Sequence, residues 1–183
     1  MKKYITLPIT KEDIDNLKAG DTVYLNGIMY SARDAAHKRM YESIEKNEEL
    51  PFLLENSTIY YLGPSPARGD KVIGSAGPTT SGRMDKYTPS LLDLGLKVMI
   101  GKGKRTKEVK DSMMKNGAIY LAAVGGAGAL LSKSIISSEI VAYDDLGTEA
   151  IRRIEVNNFP AIVVIDSQGT DLYEKVEASI KEF

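Results

Sequence analysis

The sequence predicts an α/β fold with a parallel-sheet core and additional strands at its N-terminal end. Three observations carry that expectation. Apolar runs of strand length, at 97–103 and 118–126, end in glycine; stretches with helical spacing follow them; and the alternation of strand and helix recurs through the middle of the chain. Such alternation gives parallel strands joined by right-handed crossovers, because a helix returns the chain to the start of the next strand.

Taken in order, residues 3–8 and 22–30 read as strands, the second interrupted at Asn26-Gly27 by a turn or bulge. The segment 31–50 reads as a helix. Ser31 and Asp34 have capping-box spacing, and Ala36, Met40 and Ile44 recur at helical intervals. Residues 57–64 form an apolar strand closed by Gly63-Pro64, 65–71 a loop, and 72–77 a short strand. In 82–95, Met84, Tyr87, Leu91 and Leu94 define the inward face of a helix, with Pro89 marking a break or a second start. The strand 97–103 leads to a helix at 106–117, and the strand 118–126 to a short helix at 127–135. The stretches 137–145 and 151–173 read as further strands with a Ser-Gln-Gly turn, followed by an amphipathic helix from about 171. No repeat or low-complexity linker divides the chain, so one domain, 1–183, is expected.

Composition narrows the function classes. Hydrophobic residues at 43% and charged residues at 27% suit a globular protein with a real core. A formal net charge of −1 gives no electrostatic reason to expect nucleic acid or a membrane surface as partner. No apolar run reaches the roughly 20 residues of a membrane span, and the N-terminal residues lack a signal-peptide core, so a cytoplasmic location is expected. With no Cys and the single His37, a disulfide, a thiolate-held metal or a histidine metal site has no ligands here.

The candidate chemistry lies in a few polar residues among glycines. Arg33 falls on the stripe of Met40 and Ile44, with His37 one turn on. An arginine there requires an anion, which is either an internal carboxylate such as Asp34 or a ligand. His37 beside alanines reads as a packed, hydrogen-bonded residue. In 74–85, Gly77-Pro78 precedes Thr79, Thr80 and Ser81, which are helix N-cap types, then Gly82 and Arg83. Hydroxyls, backbone N–H groups and a guanidinium together suit a carboxylate or phosphate; the bland reading is a capped helix with a surface arginine. Lys102 stands at a strand end, where parallel α/β sheets hold ligands. A P-loop is excluded, because five residues separate Gly95 from Gly101 and Gly103 replaces the Ser or Thr that binds magnesium. Residues 125–131 lack the third glycine of a dinucleotide fingerprint. Arg33, Arg83 and Lys102 together exceed the needs of one carboxylate and suit a small dicarboxylate.

In order along the chain, "SARDAAHKRM", "GPTTSGRMD", "IGKGKR", "VGGAGALLSKSI" and "DDLGTEAIRRIEVNNFPAIVVIDSQGTDLY" closely resemble the β subunit of class I fumarate hydratase, which is the C-terminal domain of the single-chain members. The resemblance covers roughly residues 3–175. It implies a swivelling β/β/α fold and the reversible hydration of fumarate to (S)-malate. It also implies a partner α subunit carrying an oxygen-sensitive four-iron, four-sulfur cluster held by three cysteines, with no metal on this chain. By motif position, the resemblance makes Arg33, Arg83 and Lys102 the binders of substrate carboxylates. Thr79 becomes the group exchanging the C3 proton, aided by Lys102, with His37, Thr80 and Ser81 in support. The catalytic acid is then expected on the α subunit, and a homodimer of this chain or an assembly of two α and two β chains is allowed.

The L-tartrate dehydratase β subunit resembles the chain in the same motifs, but "ARDAAH" and Gly82 favour fumarate. A mesaconate-type hydratase stays open, since the cations read carboxylates and not a methyl group. The reading from another class is a non-catalytic dicarboxylate-binding module.

Overall fold

The computed structural model of the chain describes residues 2–124 and 131–182. Its parallel strands are β1 (Lys2–Thr6), β2 (Thr22–Ser31), β3 (Thr58–Tyr60), β4 (Val98–Gly101) and β5 (Ile119–Ala123). Two antiparallel strands, β6 (Ile135–Ala142) and β7 (Ile151–Ile165), complete a sheet of seven in the order β1-β2-β3-β4-β5-β7-β6. The long β7 also pairs with β2 from Thr22↔Ile162 to Ser31↔Arg152. The pairings β2–β3–β4–β5–β7 therefore close on themselves, with β1 and β6 flanking the circuit. The additional strands in this mixed α/β architecture are mostly C-terminal.

Alternation along the strands sorts side chains into two cores. Leu25, Tyr60, Ile100, Leu121 and Val163 belong to one cluster, which also takes Ile14 and Leu17. Their strand neighbours Ile59, Tyr61, Met99 and Tyr120 face the other. There they meet Met40 of α2 (Asp34–Glu45), Leu91 of α3 (Thr88–Asp93) and Met113 of α4 (Lys107–Asn116). The β4 sequence VMIG is apolar throughout because both its faces are covered. The helix α4 follows its local signals: Thr106 Oγ1 accepts from the Val109 amide at 3.4 Å, and Gly117 ends it in the left-handed region.

Several local expectations are corrected. A six-residue helix, α1 (Lys11–Asn16), capped by Thr10, stands between β1 and β2. The helix expected at 31–50 begins only at Asp34, because Ser31 is a β2 residue whose Oγ accepts from the Arg152 amide at 3.3 Å. Its capping role falls instead to Glu149, which accepts from the Ala35 amide at 3.3 Å. Residues 72–77 form no strand. The helix expected over 82–95 is a 3-10 turn, Ser81–Met84, followed by α3 with Pro89 in its first turn, so Pro89 is a second start. Leu92 is buried in α3 and Leu94 is exposed, since the turn resets the helical phase. Asn26-Gly27 is a bulge against β7, with Gly27 at φ 126°. The terminal helix α5 (Leu172–Lys181) forms as expected, capped by Asp171. Residues 125–130, with the glycines and the first part of the helix expected at 127–135, lie outside the described residues; of the remainder, Ile135 already belongs to β6.

Candidate functional site

Three parallel strands deliver the candidate residues to one edge. Arg33 follows the carboxyl end of β2, Gly63 that of β3 and Lys102 that of β4. Residues 79–81 then run between the last two. The Thr79 amide donates to Tyr61 O at 2.8 Å, the Ser81 amide to Lys102 O at 2.9 Å, and Thr80 lies opposite Lys102 in a parallel bridge. The hydroxyl-rich segment is thus stitched into the sheet edge, the usual ligand position in an open α/β sheet. The 3-10 turn that follows is anchored by buried Met84 and leaves the Arg83 side chain 59% exposed. An open concavity of about 590 Å³ is lined by Gly82, Arg83, Asp85, Lys86, Pro89, Thr106 and Glu108. A second, of about 580 Å³, lies at the other end of the sheet, where Lys97 precedes β4, and mixes Lys11, Lys97 and Lys115 with Asp15 and Glu55. The first holds Arg83 and Lys86 against Asp85 and Glu108, and it is the one that borders the edge carrying the candidate residues.

Two of the three cations converge on one carboxylate. Arg33 Nε lies 3.9 Å from Asp34 Oδ1, and Arg83 Nη1 lies 3.9 Å from Asp34 Oδ2. Glu149 Oε1 is also 3.9 Å from Arg33 Nε. These separations are ion pairs and not hydrogen bonds; Arg33 Nε and Asp34 Oδ1 are both buried and without a hydrogen-bond partner among the described residues. The internal carboxylate expected for Arg33 is present, yet it leaves a donor unsatisfied. Lys102 is exposed and takes part in no ion pair among the described residues.

Arg33 is steered by Gly63. A Cβ at Gly63 would stand 2.8 Å from Arg33 Cδ and 3.2 Å from its Nη1. Gly63→Ala is therefore expected to displace the guanidinium, weakening dicarboxylate binding about tenfold, the loss of one charged hydrogen bond. The two nearest atoms belong to a flexible side chain, with the Thr148 backbone oxygen next at 3.3 Å, so stability should fall by about 1 kcal/mol. Calorimetric titration with malate and urea unfolding separate the two effects.

The remaining expected residues differ in kind. Ser81 is buried, its Oγ 2.6 Å from Tyr120 Oη, so its hydroxyl lies beneath the edge and not in an open cradle. Close approach here depends on Gly101, where a Cβ would stand 2.0 Å from Ser81 Oγ. Thr80 is exposed and caps nothing with its side chain. Thr79 is half-buried. Gly82 faces open space, so a Cβ there would meet no atom of the described residues within 4 Å.

His37 is buried in α2, its Nδ1 2.8 Å from Arg33 O and its ring edge-on to Tyr61 at 5.3 Å. An acceptor carbonyl at Nδ1 makes that nitrogen the protonated one, and Nε2 is left buried without a partner among the described residues. Burial pushes its pKa down to about 4, with Arg105 adding to the effect. The unfolded chain thus binds one more proton between about pH 4 and 6.5, so stability present at neutral pH is lost as pH falls through that window. Because no other His exists, urea unfolding should show a loss of about 2 kcal/mol from pH 7 to pH 5, absent in His37→Gln. An equal slope in the variant refutes the assignment.

A buried pair that local reading did not single out, Arg105 and Asp85, lies below these residues, with Arg105 Nε 2.7 Å from Asp85 Oδ1. Both stand inside the quoted motifs, twenty positions apart, but no local periodicity links them. No group of three or more His, Cys, Asp or Glu among the described residues could hold a metal ion. With no thiolate in the chain, the donor set does not fit a cysteine-ligated cluster. No helix among the described residues is long and apolar enough to cross a membrane.

Comparison with known proteins identifies the family. A family model described as "Fumarase C-terminus" matches residues 2–176. A Methanocaldococcus jannaschii protein provisionally named L(+)-tartrate dehydratase subunit beta is 42% identical, over 98% of this chain and 95% of its own length. Fumarate hydratase 2 of Leishmania major is 40% identical over 93% of this chain, and the aerobic class I fumarate hydratase of Escherichia coli K12 41% over 84%. The chain spans 31% and 28% of those two longer proteins. With both the model match and relatives near 40% identity covering the chain, it belongs to the fumarase C-terminus family.

Proposed function

We propose that this chain is the β subunit of a class I fumarate hydratase, interconverting fumarate and (S)-malate together with an α subunit. The carrying observation is the unsatisfied cationic edge: Arg33 Nε buried without a hydrogen-bond partner among the described residues, beside exposed Arg83 and Lys102. An unmatched buried donor costs about 1–3 kcal/mol, which a bound carboxylate would recover. Arg33 and Arg83 hold one end of the diacid and Lys102 the other. Thr79 Oγ1 takes the C3 proton of malate in dehydration and returns it to fumarate in hydration. A threonine hydroxyl is a weak base, so the cations around it must lower its pKa, an attraction that exclusion of water strengthens. His37, neutral and bonded to the Arg33 carbonyl, supports the arginine from below.

The resemblance to class I fumarate hydratase assigns the four-iron, four-sulfur group and the catalytic acid to the α subunit, and the lack of Cys in this chain is consistent with that. We place the chain as one swivelling β/β/α domain over 1–183, consistent with its closed strand circuit and the helices on the second core. The corresponding location is the cytoplasm. A homodimer of this chain within a larger assembly fits the same reading.

One observation favours a second substrate. The chain matches a separate protein named for tartrate dehydratase along 95% of that protein's length. The open space at Gly82 also means that this chain alone sets no steric limit there.

The test is an anaerobic hydration assay with this chain alone, then with its α chain carrying a reconstituted cluster. Fumarate turnover only in the mixture supports the reading. Turnover of tartrate or mesaconate instead keeps the mechanism and changes the substrate. Silence on all three diacids, with malate still bound by this chain, leaves a non-catalytic binding module.

A further inference from the structure

Beneath the candidate residues lies a charge network to which the proposed reaction assigns no role. Arg105 has a fully buried side chain, bonded on several sides. Its Nε donates to Asp85 Oδ1 at 2.7 Å, and its Nη2 to Tyr61 Oη at 3.0 Å and to Thr88 Oγ1 at 3.2 Å. The other Asp85 oxygen accepts from the Thr106 amide at 2.8 Å. The guanidinium carbon lies 4.8 Å from the Tyr120 ring centre and 5.2 Å from that of Tyr61. Tyr120 Oη in turn meets Ser81 Oγ and donates to Gly103 O at 2.9 Å.

The network therefore joins the two segments that carry the substrate groups. Asp85 stands two residues beyond Arg83, and Arg105 three beyond Lys102. A buried ion pair is a weak source of stability, because desolvation offsets the attraction. What a bonded guanidinium fork supplies, and an apolar contact does not, is fixed direction. We propose that Arg105 and Asp85 are positioning residues that set Lys102 against Thr79 and Arg83. This inference rests on the dicarboxylate reading above.

The test is a double-mutant cycle between Arg105→Lys, which keeps the charge and loses the fork, and Lys102→Ala. Fumarate kinetics of the assembled complex are measured alongside malate titration of this chain alone, at a temperature where circular dichroism shows every variant folded. Arg105→Lys is expected to lower kcat roughly 10- to 100-fold, the scale of a small misplacement, and to weaken malate binding several-fold. In the Lys102→Ala background the same substitution should change either quantity by less than about twofold, since no lysine is left to position. Tyr61→Phe, which removes only the hydroxyl that accepts from Nη2, should couple to Lys102 in the same sense and serves if Arg105→Lys does not fold. A folded Arg105→Lys protein with wild-type kinetics and binding overturns the proposal, as do losses that simply multiply in the double variant. Failure of the wild-type chain to bind malate, with no turnover by the complex, overturns the dicarboxylate reading and this inference with it.

Discussion

Thr79→Ala is expected to lower fumarate turnover by the assembled complex about 100-fold or more, the usual contribution of a positioned proton-transfer group. Malate affinity should change by less than about threefold, because Arg33, Arg83 and Lys102, the groups that engage the carboxylates, are untouched. The fold gives alanine little reason to disturb this edge. Thr79 is held by its backbone amide, which donates to Tyr61 O at 2.8 Å, and that bond survives the substitution. Thr79→Ser, which restores a hydroxyl, should recover most of the activity. Arg83→Met supplies the contrast: loss of a charged hydrogen bond should raise KM about tenfold. Equal losses of turnover and affinity in Thr79→Ala would remove the base assignment and leave the residue as a binding contact.

Breaking the buried pair should give the largest stability effect. Arg105→Met leaves Asp85, which is 6% exposed, with an uncompensated charge among Tyr61, Met84 and α3. The expected cost is about 3–5 kcal/mol, read from urea unfolding at pH 7. The double variant Arg105→Met/Asp85→Leu should regain most of that loss, since a matched apolar pair no longer buries a lone charge. It should not regain activity if the fork orients Lys102. A single variant within about 1 kcal/mol of wild type would mean that water reaches Asp85 and solvates it.

The functional reading was legible in the sequence in a particular way. Composition gave no reason to expect nucleic acid or a membrane as partner and left no thiolate ligands, and the three cations Arg33, Arg83 and Lys102 suggested a diacid, but the reaction itself came from ordered motifs that resemble a known family. The β4 and β5 runs and the helix at 106–117 were legible because each depends on neighbours within about one turn or one strand. Ser31 was misread for the opposite reason. Its spacing to Asp34 has the form of a cap, but pairing with Tyr60 and Arg152, remote in sequence, holds it in β2. Leu94 failed likewise, because the 3-10 turn at 81–84 shifts the helical phase that a continuous pattern assumes.

By itself the sequence determined which segments are apolar with period two or 3.6, where the α4 helix starts and stops, and that no thiolate chemistry can reside on this chain. Only the tertiary structure decided that β7 closes the strand circuit against β2 and that Asp34 sits between Arg33 and Arg83. It alone placed Arg105 on Asp85 beneath the segments that carry Thr79 and Lys102. Backbone periodicity is a local property, fixed by the geometry of one strand or one helix. Which buried charge meets which is settled by packing among distant segments, where the cost of an unpaired charge selects one arrangement.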